Sequence, residues 1–251
     1  MNIEFSGKAV LVTGASSGLG RATALKFAAA GAAVCLVDIN QAGLDRTQAE
    51  LQALGAKSVT CCSDIAVKAN CVAAVQSAID AFGRLDVLCN VAGVVKFARF
   101  TEITEADWDW VMKVNLYAPF YLCQAAVPHL LESHGNIVNI ASSAAFRGES
   151  YLCSYATSKA ALVHLTKSMA MEFSHAPIRI NAVAPGGMQT GMADSVKIPA
   201  DLDGSLIARY SGLRGISQPE DIADTVLFVA SDRAKSMHGA CVSVDGGIAA
   251  D

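Results

Sequence analysis

Short apolar runs alternate with longer segments of helical composition along the whole chain. The runs are continuously apolar and do not alternate with polar residues, as in AVCLVD from Ala33 to Asp38. Strands that are covered by helices on both faces have this pattern. Seven such runs cover residues 8–14, 33–38, 58–64, 85–93, 135–143, 178–186 and 240–247. The alternation predicts an α/β fold with a Rossmann-type, doubly wound parallel sheet of seven strands and helices on both faces.

No linker rich in Pro or Ser divides the sequence, so we expect one domain over residues 1–251. The least regular segment lies between Gly186 and Gly215, directly after a predicted strand. Ligands of open α/β sheets bind outside the carboxyl ends of the strands. We therefore expect a substrate lid at about residues 187–215.

Local signals mark several helix ends. Gly31 follows GRATALKFAAA and is expected to end the first helix. The pairs Thr104 with Asp107 and Ser217 with Glu220 have the spacing of a capping box, in which each side chain bonds the backbone of the other residue. They predict helices that begin after Thr104 and after Ser217.

Charge and composition exclude several classes of protein. The net charge of -4 and the lack of long like-charged runs argue against nucleic acid or an anionic membrane as partner. The most apolar window, residues 28–37, is far shorter than the roughly 20 residues of a membrane span. The sequence lacks a secretory pattern, so we expect a cytoplasmic protein. The eight cysteines form no C-x-x-C pair and no zinc spacing, so we expect reduced thiols and no metal site.

A glycine-rich loop, VTGASSGLG, joins the first predicted strand to the first helix. Its glycines are Gly14, Gly18 and Gly20, and Ser16 and Ser17 add hydroxyl groups. Glycines allow a sharp turn and a close approach of the backbone to a pyrophosphate, which then lies at the positive end of the helix. The loop therefore predicts a dinucleotide site.

Asp38 ends the second predicted strand, where a carboxylate accepts hydrogen bonds from the hydroxyls of an adenosine ribose. The same carboxylate repels a 2′-phosphate. No Lys or Arg lies within the glycine loop, because Ser17 directly precedes Gly18 and Arg21 follows Gly20 on the helix. These residues favour NAD(H) over NADP(H).

Tyr155 and Lys159 are four residues apart on one predicted helix and so share a face. A free tyrosine has a pKa of about 10, and a nearby ammonium lowers it toward neutrality. Tyr151 has no such partner, since four residues after it comes Tyr155. Ser142, at the end of the fifth strand, is the candidate hydroxyl beside the phenol, with its neighbour Ser143 as the rival.

Taken together, these motifs resemble the short-chain dehydrogenase/reductase family in its classical single-domain form. The resemblance covers essentially the whole chain and rests on the glycine loop, NVAG at 90–93, Asn115, Ser142, Tyr155-x-x-x-Lys159 and PGGMQT at 185–190. Where the family often has a second Asn, this chain has Val91, and Met188 stands where Ile or Val is commoner. Neither departure touches the proton-transfer residues.

The resemblance implies hydride transfer with a nicotinamide cofactor. It makes Tyr155 the general acid and base, gives Lys159 the roles of lowering the Tyr155 pKa and holding the nicotinamide ribose, and has Ser142 polarise the substrate carbonyl. Asn115 would hold a water that links Lys159 to a proton relay. The implied cofactor contacts, with those predicted above, are Gly14, Ser16, Ser17, Gly18, Leu19, Gly20, Asp38, Asp64, Ile65, Asn90, Ala92, Gly93, Tyr155, Lys159, Pro185, Met188 and Thr190.

The candidate substrate residues are mostly apolar, and they favour a hydrophobic secondary alcohol or ketone, cyclic or steroid-like. They are Val95, Ala144, Phe146, Leu152 and Met192. Two other functions stay open: a reductase of 3-oxoacyl thioesters, against which Asp38 speaks, and a non-catalytic dinucleotide-binding protein. The resemblance also implies a homotetramer. The roles of Arg147 and Cys153 are open.

Overall fold

The seven predicted strands are present and form one sheet in the computed structural model, which describes residues 3–189, 201–210 and 214–250. They are β1 (Ala9–Thr13), β2 (Ala33–Asp38), β3 (Ser58–Cys62), β4 (Val87–Asn90), β5 (Asn136–Ile140), β6 (Arg179–Pro185) and β7 (Cys241–Val244). Their order is β3-β2-β1-β4-β5-β6-β7, and all neighbours are parallel. The predicted fold class is confirmed.

Helices follow the strands and cover both faces of the sheet. They are α1 (Gly18–Ala29), α2 (Gln41–Ala53), α3 (Lys68–Phe82), α4 (Glu105–Met112), α5 (Ala118–Ser133), α6 (Cys153–Glu172), α7 (Gly204–Ile207) and α8 (Pro219–Ala230). A π-helical turn, Lys113–Tyr117, joins α4 to α5.

Two apolar cores lie on the two sides of the sheet. Phe27 of α1, Leu44 of α2 and Val226 of α8 are fully buried in the core on one face. Cys71 of α3 and Leu122 of α5 are fully buried in the core on the other face, which α6 also joins. Burial of the strands on both sides explains why their sequences are continuously apolar.

The strand order reverses between β1 and β4. From β1 the chain builds β2 and β3 on one side, and from β4 it builds β5, β6 and β7 on the other. The connections at the carboxyl ends of β1 and β4 therefore diverge and leave a crevice between them. In open α/β sheets this point is where ligands bind.

The predicted helix ends agree with the structure at two positions and disagree at one. Gly31 follows α1 with a φ of 91°, and the Thr104 hydroxyl accepts from the Asp107 N–H (3.1 Å) at the start of α4. The predicted start after Ser217 is wrong, because the N-cap of α8 is Gln218. Ser217 instead bonds through its backbone N–H to the carbonyl of Gly187 (3.0 Å).

Within the part of the chain that the structure describes, no helix combines the length and the apolar character that crossing a membrane requires.

Candidate active site

The glycine loop between β1 and α1 packs closely against the segment after β4. Gly14 has a φ of 69°, in the left-handed region that favours glycine, and a Cβ there would lie 3.0 Å from the Cα of Ala92. A Cβ on Gly20 would lie 2.0 Å from the Gly14 carbonyl oxygen. Neither position has room for a side chain. The result is a cradle of bare backbone at the start of α1, which fits a pyrophosphate.

The N-terminus of α1 lies beside the end of β2. Ser17 is the N-cap of α1, and its side chain makes no capping hydrogen bond. The buried Ser16 donates its backbone N–H to Asp38 Oδ2 (3.1 Å), and Asn40 donates its N–H to Asp38 Oδ1 (2.9 Å). These bonds orient the Asp38 carboxylate beside the cradle. Each carboxylate oxygen keeps a lone pair for a further donor, such as a ribose hydroxyl.

Arg21 is the basic residue nearest to the cradle in the sequence, and its guanidinium forms an ion pair with Glu50. Its Nε donates to Glu50 Oε1 (3.0 Å), and its Nη2 donates to the other oxygen of the same carboxylate. This bidentate pair joins α1 to α2 and lowers the pKa of Glu50. Arg21 is therefore not a free cation for a phosphate group.

The prediction overlooked Thr13, which joins β1 to the segment after β4. Its buried hydroxyl accepts hydrogen bonds from the backbone N–H groups of Val91 (3.0 Å) and Ala92 (3.0 Å). The contact fixes Ala92 against Gly14 and so shapes the crevice. A polar residue in an apolar run, directly before the first glycine, is the sequence signal that could have indicated this role.

The residues after β3 lie at the same edge of the sheet. Asp64 is exposed, and its Oδ1 accepts from the Ala66 N–H (2.9 Å). Ile65 is buried, and its carbonyl accepts from the Cys71 thiol (3.1 Å). Asp64, one of the implied cofactor contacts, thus presents its carboxylate in a turn after β3.

Asn90 lies at the crevice, but its side chain points into the interior. Its Nδ2 donates to Asn139 Oδ1 (2.8 Å) on β5 and to the Cys123 sulfur (3.4 Å) on α5. Asn139 in turn donates to the Thr166 hydroxyl (2.9 Å) on α6. This buried network binds β4 and β5 to the helices behind them, so the Asn90 side chain supports the wall of the crevice from within.

Asn115 is fully buried in the π-helical turn between α4 and α5. Its Oδ1 accepts from the Val94 N–H (2.8 Å), and its Nδ2 donates to the Val94 carbonyl (2.9 Å) and to the Ser158 hydroxyl (3.1 Å). The amide therefore fixes the segment after β4 to α6. Asn115 also lies close to Lys159, because a Cβ on Gly93 would be 3.4 Å from both Asn115 Oδ1 and Lys159 Nζ.

Lys159 is a buried cation, with 4% of its surface exposed. Its Nζ donates to the carbonyl of Ile140 at the end of β5 (2.7 Å) and lies 5.9 Å from the centroid of the Tyr155 ring. Burial lowers the pKa of the Lys159 ammonium to about 8. The ammonium of Lys159 has three N–H donors. Its hydrogen bond to the Ile140 carbonyl holds it beside the crevice.

The structure brings Ser142 to Tyr155, whereas Ser143 lies in the 3-10 turn that follows. Burial raises the pKa of Tyr155, a hydrogen bond with Ser142 lowers it, and the charge of Glu149 raises it. The expected lowering of this pKa by Lys159 is not observed in the protein alone. The physical reason is that the phenol is desolvated, while the ammonium of Lys159 is directed to Ile140.

Tyr151, the rival phenol, has a different position and different partners. It has a φ of 65°, and its hydroxyl accepts from the Asp203 N–H (3.2 Å), directly before α7 of the lid. The guanidinium of Arg99 also holds this part of the lid through Asp201 (Nη2 to Oδ2, 2.7 Å). Tyr151 therefore bonds the segment before α7, which belongs to the predicted lid, whereas Tyr155 lies beside Lys159.

Arg147 joins three segments around the site. Its Nη2 donates to the carbonyl of Arg209 in the lid (2.9 Å), and its Nη1 donates to the carbonyl of Ile248 near the C-terminus (2.8 Å). The guanidinium thus ties both segments to the loop between Ser142 and Tyr155. These contacts give Arg147 a structural role, which the sequence left open.

A short parallel bridge pairs Met188 with Ser217, close to the two ends of the predicted lid. The Gln189 N–H donates to the Ser217 carbonyl (3.1 Å), and the Gln218 side chain donates to Gln189 Oε1 (3.0 Å). The two ends of the lid are thereby held together at the carboxyl end of β6. Met188 therefore lies beyond the carboxyl end of β6, beside Ser217.

The remaining predicted residues take different positions. Leu19 packs in the core under the glycine loop, and Pro185 is buried at the end of β6. Among the candidate substrate residues, Val95 is half-buried, Ala144 and Leu152 are buried and Phe146 is exposed. Thr190, Met192 and the lid residues 190–200 and 211–213 lie outside the described residues.

The fold and this arrangement define a class of protein. A backbone cradle at the switch point of a doubly wound sheet binds a dinucleotide. A phenol, a serine hydroxyl and a buried ammonium lie together at the neighbouring strand ends, where they can move a proton to or from a bound substrate. The arrangement is that of a dinucleotide-binding α/β protein with candidate residues for proton transfer.

Comparison with known proteins agrees with this class. A family model described as enoyl-(acyl carrier protein) reductase matches residues 14–249. A 3-oxoacyl-[acyl-carrier-protein] reductase FabG of Thermotoga maritima is 35% identical over 247 residues, 98% of this chain and 99% of that protein. A 7alpha-hydroxysteroid dehydrogenase of Escherichia coli is 33% identical over 247 residues, 98% of this chain and 96% of that protein.

A crystal structure of a short chain dehydrogenase from Mycobacterium paratuberculosis bound to NAD has a TM-score of 0.93 and 28% identity, covering 99% of this chain and 100% of that one. The chain belongs to the short-chain dehydrogenase/reductase family. It is accordingly an oxidoreductase that acts on CH–OH groups of small molecules and uses a nicotinamide dinucleotide.

Proposed function

We propose that the protein interconverts a secondary alcohol and a ketone with NAD(H), and that its substrate is apolar and cyclic. The position of the buried Lys159 carries this proposal: its Nζ lies 5.9 Å from the centroid of the Tyr155 ring and bonds the carbonyl of Ile140, two residues before the buried Ser142. Ser142, Tyr155 and Lys159 can share a proton, and they converge where the carboxyl end of β5 meets α6. The glycine cradle lies on the other side of the crevice. A substrate carbonyl between Ser142 and Tyr155 would accept hydrogen bonds from both hydroxyls.

The cofactor fits the residues that are present. The cradle of Gly14 and Gly20 receives the pyrophosphate, Asp38 the adenosine ribose and Lys159 the nicotinamide ribose. The nicotinamide ring, when bound, supplies or accepts the hydride. Tyr155 donates its proton to the substrate oxygen during reduction and removes it during oxidation, while Ser142 stabilises the charge on that oxygen.

The Tyr155 pKa, which burial raises, suits a proton donor more than a base. For alcohol oxidation the phenolate must be stabilised, and the cations available are Lys159 and the oxidised nicotinamide. Release of Lys159 from Ile140 toward a ribose would bring an ammonium to the phenol. The proposed role of Lys159 therefore includes a change of hydrogen-bond partner on cofactor binding.

Three features favour NAD(H) over NADP(H). The Asp38 carboxylate is held at the end of β2 and repels a 2′-phosphate. Arg21 is bound by both oxygens of Glu50 and is not available to compensate. The position directly before Gly18 is Ser17, which carries no charge.

An alternative function is reduction of a 3-oxoacyl thioester, which the similarity to the Thermotoga reductase favours. The similarity to the hydroxysteroid dehydrogenase favours a cyclic alcohol. We prefer the cyclic alcohol because the candidate substrate residues are apolar and because Asp38 opposes the NADPH that thioester reductases usually take. A non-catalytic dinucleotide-binding protein is disfavoured by the presence of Ser142, Tyr155 and Lys159 together.

We also propose a homotetramer. Three large side chains near Asn115 are exposed: Trp110 of α4, Tyr117 of the π-helical turn and Phe120 of α5. Large apolar side chains that are exposed together often take part in subunit contacts. Light scattering on the purified protein tests this proposal, and the mass of a monomer would refute it.

Titration of the protein with NADH and then with NADPH, followed by nicotinamide fluorescence, tests the cofactor. We expect NADH to bind at least about tenfold more tightly, a difference of about 1.4 kcal/mol. The double variant Ser17→Arg with Asp38→Ala should narrow or reverse this preference. Tighter binding of NADPH to the wild type would overturn the proposal and favour the thioester reductase.

A further inference from the structure

One polar group at the substrate cleft has no partner. The hydroxyl of Tyr210, at the end of the 3-10 turn Ala208–Tyr210 in the lid, is buried and makes no hydrogen bond with any residue that the structure describes. Its ring contacts the ring of Phe97, with centroids 6.1 Å apart. Phe97 belongs to the segment after β4 that faces the crevice. Buried hydroxyls usually have a partner, and this one, in the predicted lid, is free to bond a group of a bound substrate.

Glu149 lies close to the same place. It belongs to the loop between Ser142 and Tyr155, and its negative charge acts on the hydroxyls of both Tyr155 and Tyr210. The two loops also touch: Arg147, two residues before Glu149, donates to the carbonyl of Arg209, which directly precedes Tyr210 (2.9 Å). Arg147, the cation nearest in sequence, directs its guanidinium to two backbone carbonyls and ties the lid down over this cluster.

We propose that Glu149 and Tyr210 form a polar subsite that binds a second hydroxyl group of the substrate, at a distance from the carbon that Tyr155 serves. The inference rests on the proposed function and narrows its substrate class to cyclic diols and hydroxyketones. Glu149 and Tyr210 are specificity residues, since they contact the substrate away from the reacting atoms.

The chemistry of the two side chains selects a hydroxyl group. An ionised carboxylate only accepts hydrogen bonds, whereas a tyrosine hydroxyl can donate one. A hydroxyl between them donates to Glu149 and accepts from Tyr210 at the same time. A ketone or thioester carbonyl satisfies Tyr210 alone, and a substrate carboxylate is repelled by Glu149. The subsite therefore disfavours both acidic substrates and 3-oxoacyl thioesters.

Matched substrates test the subsite. The NAD-linked oxidation of cyclohexanol and of cyclohexane-1,3- and 1,4-diols is measured, and the ratio of kcat/KM for diol over monoalcohol is compared between variants. The wild type should prefer at least one diol by about tenfold or more, because a site that binds a hydroxyl rejects the analogue that lacks it.

Tyr210→Phe keeps the ring contact with Phe97 and removes only the hydroxyl, and Glu149→Gln keeps the shape and removes the charge. Each should bring the ratio toward one, mainly through KM of the diol. Tyr151→Phe is the matched control: it removes another tyrosine hydroxyl from the lid, the one that accepts from Asp203. A loosened lid should change both substrates alike and leave the ratio unchanged.

The outcomes separate the two proposals. Turnover of cyclohexanol with no preference for either diol, or a preference that Tyr210→Phe and Glu149→Gln leave intact, overturns the subsite and leaves the proposed function standing. Failure of the wild type to oxidise any of these alcohols despite tight NAD(H) binding overturns the proposed function for cyclic alcohols, and the subsite with it. A preference that both variants abolish and Tyr151→Phe retains is the expected result.

Discussion

Two charged side chains are deeply buried at opposite ends of the sheet, and their surroundings differ. Asp86, 2% exposed, lies at the amino ends of β1 and β4, and Lys159, 4% exposed, lies beside the carboxyl end of β5. Asp86 accepts from the Ala9 N–H (2.8 Å) and from two nitrogens of Arg84 (2.8 and 2.7 Å), and pairs with Lys8 (3.3 Å). Among the described residues, the Lys159 ammonium donates one hydrogen bond, to the carbonyl of Ile140.

The same contrast extends to the groups around them. At the amino end, Arg179 donates to four carbonyls at the end of α8 and after it, those of Val229, Ala230, Ser231 and Ala234. At the carboxyl end, the Tyr210 hydroxyl has no partner among the described residues, and Ser17 leaves α1 without a side-chain cap.

The difference distinguishes stabilising from functional polar groups. A buried charge with a full set of partners holds strands together, while one with few partners costs stability and is retained for what it binds. The amino end of this sheet therefore serves stability. At the carboxyl end, polar groups with few partners lower the stability of the fold but leave hydrogen-bond donors available to a cofactor and a substrate.

The largest expected effect is on the phenol at the carboxyl end. Tyr155→Phe should lower turnover by about 10²- to 10⁴-fold, because it removes the group that transfers the proton. NADH affinity should stay nearly unchanged. Tyr151→Phe, which removes the phenol that bonds the lid, should keep most of the activity. Steady-state kinetics on both variants checks the assignment, and the reverse pattern would make Tyr151 the acid.

At the amino end, Asp86→Asn should destabilise the fold by about 2 kcal/mol, because the hydrogen bonds to a charged acceptor are lost. The NADH affinity of the folded protein should not change, since Asp86 is remote from the crevice. Urea unfolding monitored by circular dichroism gives the first quantity and fluorescence titration the second. If Asp86→Asn bound NADH more weakly but kept normal stability, the assignment of the amino end to stability would be contradicted.

A smaller effect is expected at Thr13, which lies at the carboxyl end but has two backbone partners. Thr13→Val leaves the N–H groups of Val91 and Ala92 without an acceptor and should weaken NADH binding several-fold, by about 1 kcal/mol. Thr13→Ser keeps the hydroxyl and should bind NADH as the wild type does. Equal affinities of all three proteins would show that this contact does not shape the cofactor site.

The sequence predicts the strands well because they are buried on both faces, so their apolar runs are continuous and local. The run AVCLVD matches β2 from Ala33 to Asp38 without a shift. The start of α8 is predicted one residue early, since Ser217 is taken by a bridge to Gly187 and Met188 that joins distant segments. No local pattern contains that pairing.

The candidate site shows the same limit. The spacing of Tyr155 and Lys159 and their place near Ser142 follow from the helix period and the strand end. The bond of Lys159 to Ile140, the raised pKa of Tyr155 and the unpartnered hydroxyl of Tyr210 depend on burial by segments far apart in sequence. Desolvation is a tertiary property, so motif spacing predicts which groups meet but not their protonation energies.

The stability of Lys159→Met as a function of pH tests the central claim most directly. Burial lowers the pKa of Lys159 from 10.5 to about 8, so the charged form costs folding energy. This cost is fully present below pH 8, diminishes as the pH rises toward 10.5 and is absent above it. Met removes the charge and keeps most of the volume.

At neutral pH the account predicts that Lys159→Met unfolds at higher urea than the wild type, by up to about 3 kcal/mol, while losing activity. The difference should shrink as the pH approaches 10.5, the ordinary pKa of lysine. Asp86→Asn should change stability in the opposite direction. A Lys159→Met protein that is less stable than the wild type at neutral pH would contradict the account, because Lys159 would then be a stabilising group like Asp86.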